Sequence, residues 1–165
     1  MLATVQASQG TKGQRSLIYI AGDRFAEPAL VAIRTYLAER NKQYVEFGYL
    51  AGRNPGVSLQ EFIPQVTEVV RKTDGDTGIL VCGTGAGVEI GANRFPGIRA
   101  SLCGSAKNAE WARVYDAANV LCIASWMLDD IDLSAILDAW YGSEYDGDIN
   151  RRKMLHTFDE WAQSD

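Results

Sequence analysis

The stretch Gly78-Ile-Leu-Val-Cys-Gly-Thr-Gly-Ala-Gly-Val-Glu-Ile-Gly-Ala-Asn-Arg94 constrains this chain more than any other. An apolar run (Ile79, Leu80, Val81) stops at a glycine cluster and restarts with helical spacing at Val88, Ile90 and Ala92, which predicts strand, tight turn, helix. Gly83, Gly85 and Gly87 can adopt φ values closed to other residues and let a ligand approach the backbone. The following helix adds unpaired N–H groups and the positive end of its dipole, so the turn suits negative charge. Cys82 ends the strand and Thr84 lies two positions on, which places a thiol and a hydroxyl beside that turn. A cysteine at a helix N-terminus serves as base or nucleophile when its pKa is lowered. The same residues equally describe a buried strand-end cysteine beside a structural turn, and both readings stand at this point.

Two better-known glycine motifs do not fit. A nucleotide-hydrolase phosphate loop needs Gly-Lys-Ser/Thr after its spacer, and no such triplet follows here. A dinucleotide fingerprint drawn through Gly83 and Gly85 puts Val88 where its third glycine belongs.

Either side of the turn the pattern repeats. Residues 17–22 (Leu-Ile-Tyr-Ile-Ala-Gly) predict a first strand, followed by Asp23-Arg24 and a helix over about 26–40 with Leu30, Ile33, Tyr36 and Leu37 on one face. Asp23 then lies at a strand carboxyl end, where open α/β sheets bind ligands, and it also suits the N-cap of that helix. Further strands are predicted at 44–49, 98–103 and 119–124. Helices are predicted from Ser58 through Val70 and at about 106–115, 132–140 and 148–163. Strands alternating with helices at this spacing give a Rossmann-like three-layer α/β/α sandwich around a five-stranded parallel sheet. The carboxyl ends of its strands gather Asp23-Arg24, the 82–87 turn, Gly104-Ser105 and Ser125-Trp126 on one rim.

The 165 residues, 47% hydrophobic and 22% charged, suffice for one core, with a single domain expected over 16–165 and a disordered polar tail over 1–15. No apolar run is long enough to span a membrane, and no secretory signal is expected at the start. A net charge of -5, with basic residues scattered apart from Arg151-Arg152-Lys153, argues against nucleic acid. Cys82, Cys103 and Cys122 match neither a disulfide framework nor a zinc site, and reduced thiols in the cytoplasm are expected. Cys103 and Cys122 read as small core residues, and Trp111, Trp140 and Trp161 as core or interface anchors. Glu89 reads as a partner of the helix dipole with an alternative role as base, Asp129 to Asp132 as a solvated turn and cap, and the single histidine, His156, as solvated.

Cys82-Gly-Thr-Gly-Ala-Gly, then Ile90-Gly-Ala-Asn-Arg-Phe-Pro-Gly-Ile-Arg-Ala100, Asn119-Val-Leu and Ile136-Leu-Asp-Ala-Trp-Tyr-Gly-Ser-Glu-Tyr-Asp-Gly147 resemble the ribose-5-phosphate isomerase B and galactose-6-phosphate isomerase family. The resemblance is strong over 78–147 and weaker before it, where Gly22-Asp23 matches the family's first strand end. It implies aldose–ketose interconversion of a sugar phosphate through an enediolate, with no metal or organic cofactor. By that resemblance Cys82 removes the proton next to the carbonyl and Thr84 assists proton movement at the sugar oxygens. The amides of Gly83, Gly85, Ala86 and Gly87 hold the enediolate, and the site lies between two subunits of a homodimer or homotetramer. Dipoles aimed where negative charge develops are what such a step needs.

Departures from the family pattern are specific. Tyr115 stands where the family has its ring-opening histidine and Asp116 where it has asparagine. Tyrosine, with a reference pKa of about 10, is a poorer switch at neutral pH than histidine at about 6.5. A four-carbon substrate would not need ring opening. Arg24 replaces a histidine and can still grip phosphate by its fork geometry. Trp126 replaces a basic residue, the last helix offers Asn150 to Lys153 in place of the family's arginines, and Gly56-Val-Ser-Leu-Gln60 replaces an Asp-Tyr-Pro segment. The leading expectation is therefore an isomerase of ribose-5-phosphate/ribulose-5-phosphate type. A sugar-binding or catalytically weak subunit that needs a partner chain comes second, and a flavin or electron-transfer protein, sharing architecture alone, ranks last.

Overall fold

The computed structural model describes residues 4–5, 16–50 and 53–163. In chain order the elements are β1 (Thr4–Val5), β2 (Ile18–Gly22), α1 (Glu27–Glu39), β3 (Tyr44–Gly48), α2 (Leu59–Val70), β4 (Thr77–Cys82), α3 (Ala86–Ala92), β5 (Ala100–Leu102), α4 (Ala106–Asp116), β6 (Val120–Ala124), α5 (Leu133–Gly142) and α6 (Ile149–Trp161). Short 3-10 turns at Arg24–Ala26 and Ser125–Asp130 follow β2 and β6.

The sheet runs β1-β3-β2-β4-β6-β5, and the last five of these strands are parallel, as the alternating pattern predicts. β1 extends the sheet: Thr4 and Val5 lie antiparallel to Glu46 and Val45. Those two residues depart from the disordered tail expected over 1–15, and residues 1–3 and 6–15 lie outside the described residues. The parallel order reverses between β2 and β4, since β3 lies on one side of β2 and β4 on the other. Ligands of open α/β sheets bind at such a reversal, outside the strand carboxyl ends. The residues there are Asp23 and the Cys82 turn, because Gly22 pairs with Val81.

β4 is buried along all six residues, and its side chains alternate between two cores. Ile79 and Val81 face Leu30, Ile33, Ile136 and Trp140 on the side of α1, α4 and α5. Leu80 and Cys82 face Phe62, Val66 and Val88 on the side of α2 and α3. Each fully buried Leu or Ile contributes about 1.5–3 kcal/mol of burial. α2 starts where expected because the Glu61 carboxylate reaches back to accept from the Ser58 amide at 2.8 Å, the carboxylate arm of a capping box, and it also accepts from the Ser58 hydroxyl at 2.6 Å. Trp140 is a core residue, whereas Trp111 and Trp161 are exposed on α4 and α6 and do not anchor the core.

Candidate functional site

Cys82 reaches the site because β4 ends there, at the centre of the sheet. Its side chain is 5% exposed, and a Cβ built on Gly87 would lie 4.0 Å from its sulfur, so the thiol rests against the first turn of α3. Gly85 holds φ at +72°, the left-handed region, and turns the chain from β4 into α3. The amides of Gly85, Ala86 and Gly87 belong to a helix start and have no intrahelical acceptor. Thr84 is exposed in this turn, between Gly83 and Gly85.

Asp23 stands beside the turn, since Gly22 and Val81 are paired and Asp23 and Cys82 each follow by one. It caps the 3-10 turn Arg24–Ala26, Oδ1 accepting from the Phe25 amide at 2.9 Å, rather than α1 itself, whose N-cap is Ala26, because that turn intervenes between β2 and the helix. Burial raises its pKa above the ordinary carboxylate value, and the Phe25 and Ala26 amides and Arg24 offset part of that rise. Arg24 is exposed and its guanidinium lies 4.8 Å from the Phe25 ring centre.

The sequence marks Trp126 as the replacement of a basic residue, and it does not single out Phe25. The Trp126 amide donates to the Gly83 carbonyl at 3.0 Å, and its indole lies against Gly83 where a Cβ would come within 2.4 Å of the ring. Phe25 meets that indole edge-on, with ring centres 5.7 Å apart. The available signal was positional, because both residues closely follow the carboxyl ends of the strands that flank β4.

Tyr115 and Asp116 do not join this group. α4 runs back along the sheet, so both are exposed at its far end, near the amino end of β6. There the Arg151 guanidinium lies 5.1 Å from the Tyr115 ring centre and is paired with Asp146. Asp116 lines a cavity of about 390 Å³ with Asn93, Phe95, Ile98 and Phe158. Glu89 is committed to structure: its carboxylate accepts from the Leu102 amide at 2.8 Å and fastens α3 to β5. Asn93 and Asn119 do similar work, exchanging bonds with Ala100 and bridging Gly97 to Arg99. Burial raises the pKa of Cys103 and, further, of Cys122, which makes both poor nucleophiles. His156 is exposed and lies 3.4 Å from Glu160. Among the described residues no three His, Cys, Asp or Glu side chains gather as a metal site, and no helix is long and apolar enough to cross a membrane.

A ribose/galactose isomerase family model matches residues 18–156. Ribose-5-phosphate isomerase B of Escherichia coli is 32% identical over 122 residues, covering 74% of this chain and 80% of that protein. The D-erythrulose-4-phosphate isomerase of Pectobacterium atrosepticum is 28% identical over 131 residues, covering 79% and 85%. Among solved structures, ribose-5-phosphate isomerase B from Mycoplasma genitalium with bound ribulose-5-phosphate superposes with a TM-score of 0.77 at 29% identity, covering 90% of this chain and 97% of that one.

Proposed function

Because the chain belongs to the ribose/galactose isomerase family, we propose that it interconverts an aldose and a ketose phosphate through an enediolate formed at the Cys82 turn. Cys82 is the base that removes the proton from the carbon next to the carbonyl and returns it to the neighbouring carbon. Thr84 moves the proton between the two sugar oxygens. The amides of Gly83, Gly85, Ala86 and Gly87 meet the negative charge as it develops, the point at which fixed dipoles contribute most. Asp23 accepts a hydrogen bond from a substrate hydroxyl, and Arg24 holds the anionic end.

The observation that carries this reading is the meeting of Cys82, Thr84 and Asp23 at the one place where the parallel strand order reverses. Tyr115 and Asp116 lie too far away to act in the same copy, so a second copy of the chain supplies them, within a homodimer or homotetramer. Substrates of both five and four carbons are named among similar proteins, and a tetrose phosphate would dispense with ring opening. The three cysteines are free, which suits a reducing cytoplasm.

The test is exchange of the proton next to the carbonyl in deuterated water, followed by NMR, over four-, five- and six-carbon aldose and ketose phosphates and their unphosphorylated counterparts. Exchange with one pair identifies the substrate. No exchange with any, in folded protein, replaces this reading with a binding subunit that needs a different partner chain.

A further inference from the structure

We propose that Trp126 and Phe25 form a stacking wall for the carbon chain of the sugar, and that Trp126 is the residue that selects which sugars are accepted. The proposal rests on the isomerase reading above and deepens it.

Trp126 is 63% exposed and Phe25 44%, so neither is a core residue. Both are nonetheless held in place. The backbone bond from the Trp126 amide to the Gly83 carbonyl fixes the start of the turn after β6, and the indole lies on Gly83, where no side chain has room. Phe25 buttresses the indole at 72°, and Arg24 lies over Phe25 in turn. Two large aromatic side chains fixed beside the Cys82 turn and left open to solvent form a surface ready for a ligand.

The chemistry of that surface is specific. An indole face is rich in electron density and apolar, and it attracts the polarised C–H groups along one face of a sugar while offering a phosphate nothing. The cation on this wall, Arg24, lies over the Phe25 ring, 4.8 Å from its centre. A sugar would therefore place its carbonyl end over the Cys82 turn, its C–H face on Trp126 and a terminal anionic group toward Arg24. The class of ligand is a sugar with a single terminal anion, recognised along its carbon chain.

The experiment uses the full chain and its Trp126→Ala, Trp126→Phe and Trp126→Arg variants, with fold checked by circular dichroism and assembly by light scattering. The substrates are D-ribulose-5-phosphate, D-erythrulose-4-phosphate and the two unphosphorylated ketoses. The Ala variant is expected to raise KM about tenfold or more with a smaller change in kcat, and the Phe variant to recover most of it. The Arg variant should shift preference toward the phosphorylated member of each pair. A folded Ala variant with KM within about twofold of the native chain overturns the proposal, as does one whose defect is loss of assembly. Should the native chain turn over none of the four, the isomerase reading fails separately, and calorimetric titration with the same sugars decides. Binding abolished in the Ala variant supports the wall, whereas binding unchanged, or absent from the native chain, overturns it.

Discussion

Cys82 and Tyr115 stand at opposite ends of the sheet: Cys82 pairs with Ala124 at the carboxyl end of β6, and Tyr115 lies on the helix that delivers the chain to Val120 at its amino end. The strand between those ends spans about 13 Å. One copy of the chain therefore does not bring the thiol and the phenol to one sugar, and the reading proposed above requires Tyr115 to come from a second copy.

Mixing variants tests that arrangement. Cys82→Ser chains and Tyr115→Phe chains are each expected to be poor catalysts on a ring-forming sugar. Unfolded and refolded together in equal amounts, they should recover roughly a quarter of native activity, because half the dimers carry one intact site of two. No recovery above the separate preparations would place Tyr115 outside the site.

The substrate contact proposed for Asp23 predicts that this carboxyl sets the acid limb of the rate profile. Burial raises its pKa, and the charged carboxylate is the form that accepts a substrate hydroxyl. Activity should fall as pH drops through that raised value, earlier than for a free aspartate at about 3.9. Stability runs the other way: the contribution of protonated Asp23 is present below the unfolded pKa and lost as pH rises through the folded one. Asp23→Asn should remove this limb from the profile of kcat/KM against pH; an unchanged limb would assign it to another group.

How far the sequence discloses this site depends on how local each signal is. Gly83 to Gly87 and Cys82 are legible because a strand, a turn and a helix start within a few residues of one another. Trp111, Trp140 and Trp161 each sit at helical spacing with other apolar residues of their own helix, yet of the three Trp140 alone is covered, since periodicity identifies a face without showing what lies on it. The strand order that sets Asp23 beside Cys82, and brings Phe25 and Trp126 together across the end of β4, comes from long-range pairing and leaves no local trace. The two-residue β1 is likewise fixed by its partner β3 rather than by its own pattern.

Gly85→Ala should destabilise the fold by about 2 kcal/mol or more. The position holds φ at +72°, and an added Cβ would lie 2.5 Å from Leu102 Cδ1 and 3.0 Å from the Ala124 nitrogen. Denaturant unfolding followed by circular dichroism measures the change, and a loss under about 0.5 kcal/mol would show that the turn relaxes freely.

Arg34 bridges Glu46 at 2.8 Å and Glu27 at 3.3 Å, tying α1 to β3. Its hydrogen bond with Glu46 raises its pKa above the ordinary arginine value. Arg34→Ala strands the nearly buried Glu46 carboxylate and should cost about 2–3 kcal/mol, and a second change, Glu46→Leu, should restore most of it. Equal stability of the single and double variants would contradict that account.

The most direct test of the central claim compares native protein with Cys82→Ser in deuterated water, using the sugar pair that the native chain turns over. If the thiol is the base, the native chain places a solvent deuteron on the carbon next to the carbonyl, while the variant keeps its fold and exchanges about a hundredfold or more slowly. Exchange at the native rate in Cys82→Ser would contradict the claim and return Cys82 to the role of a buried strand-end residue.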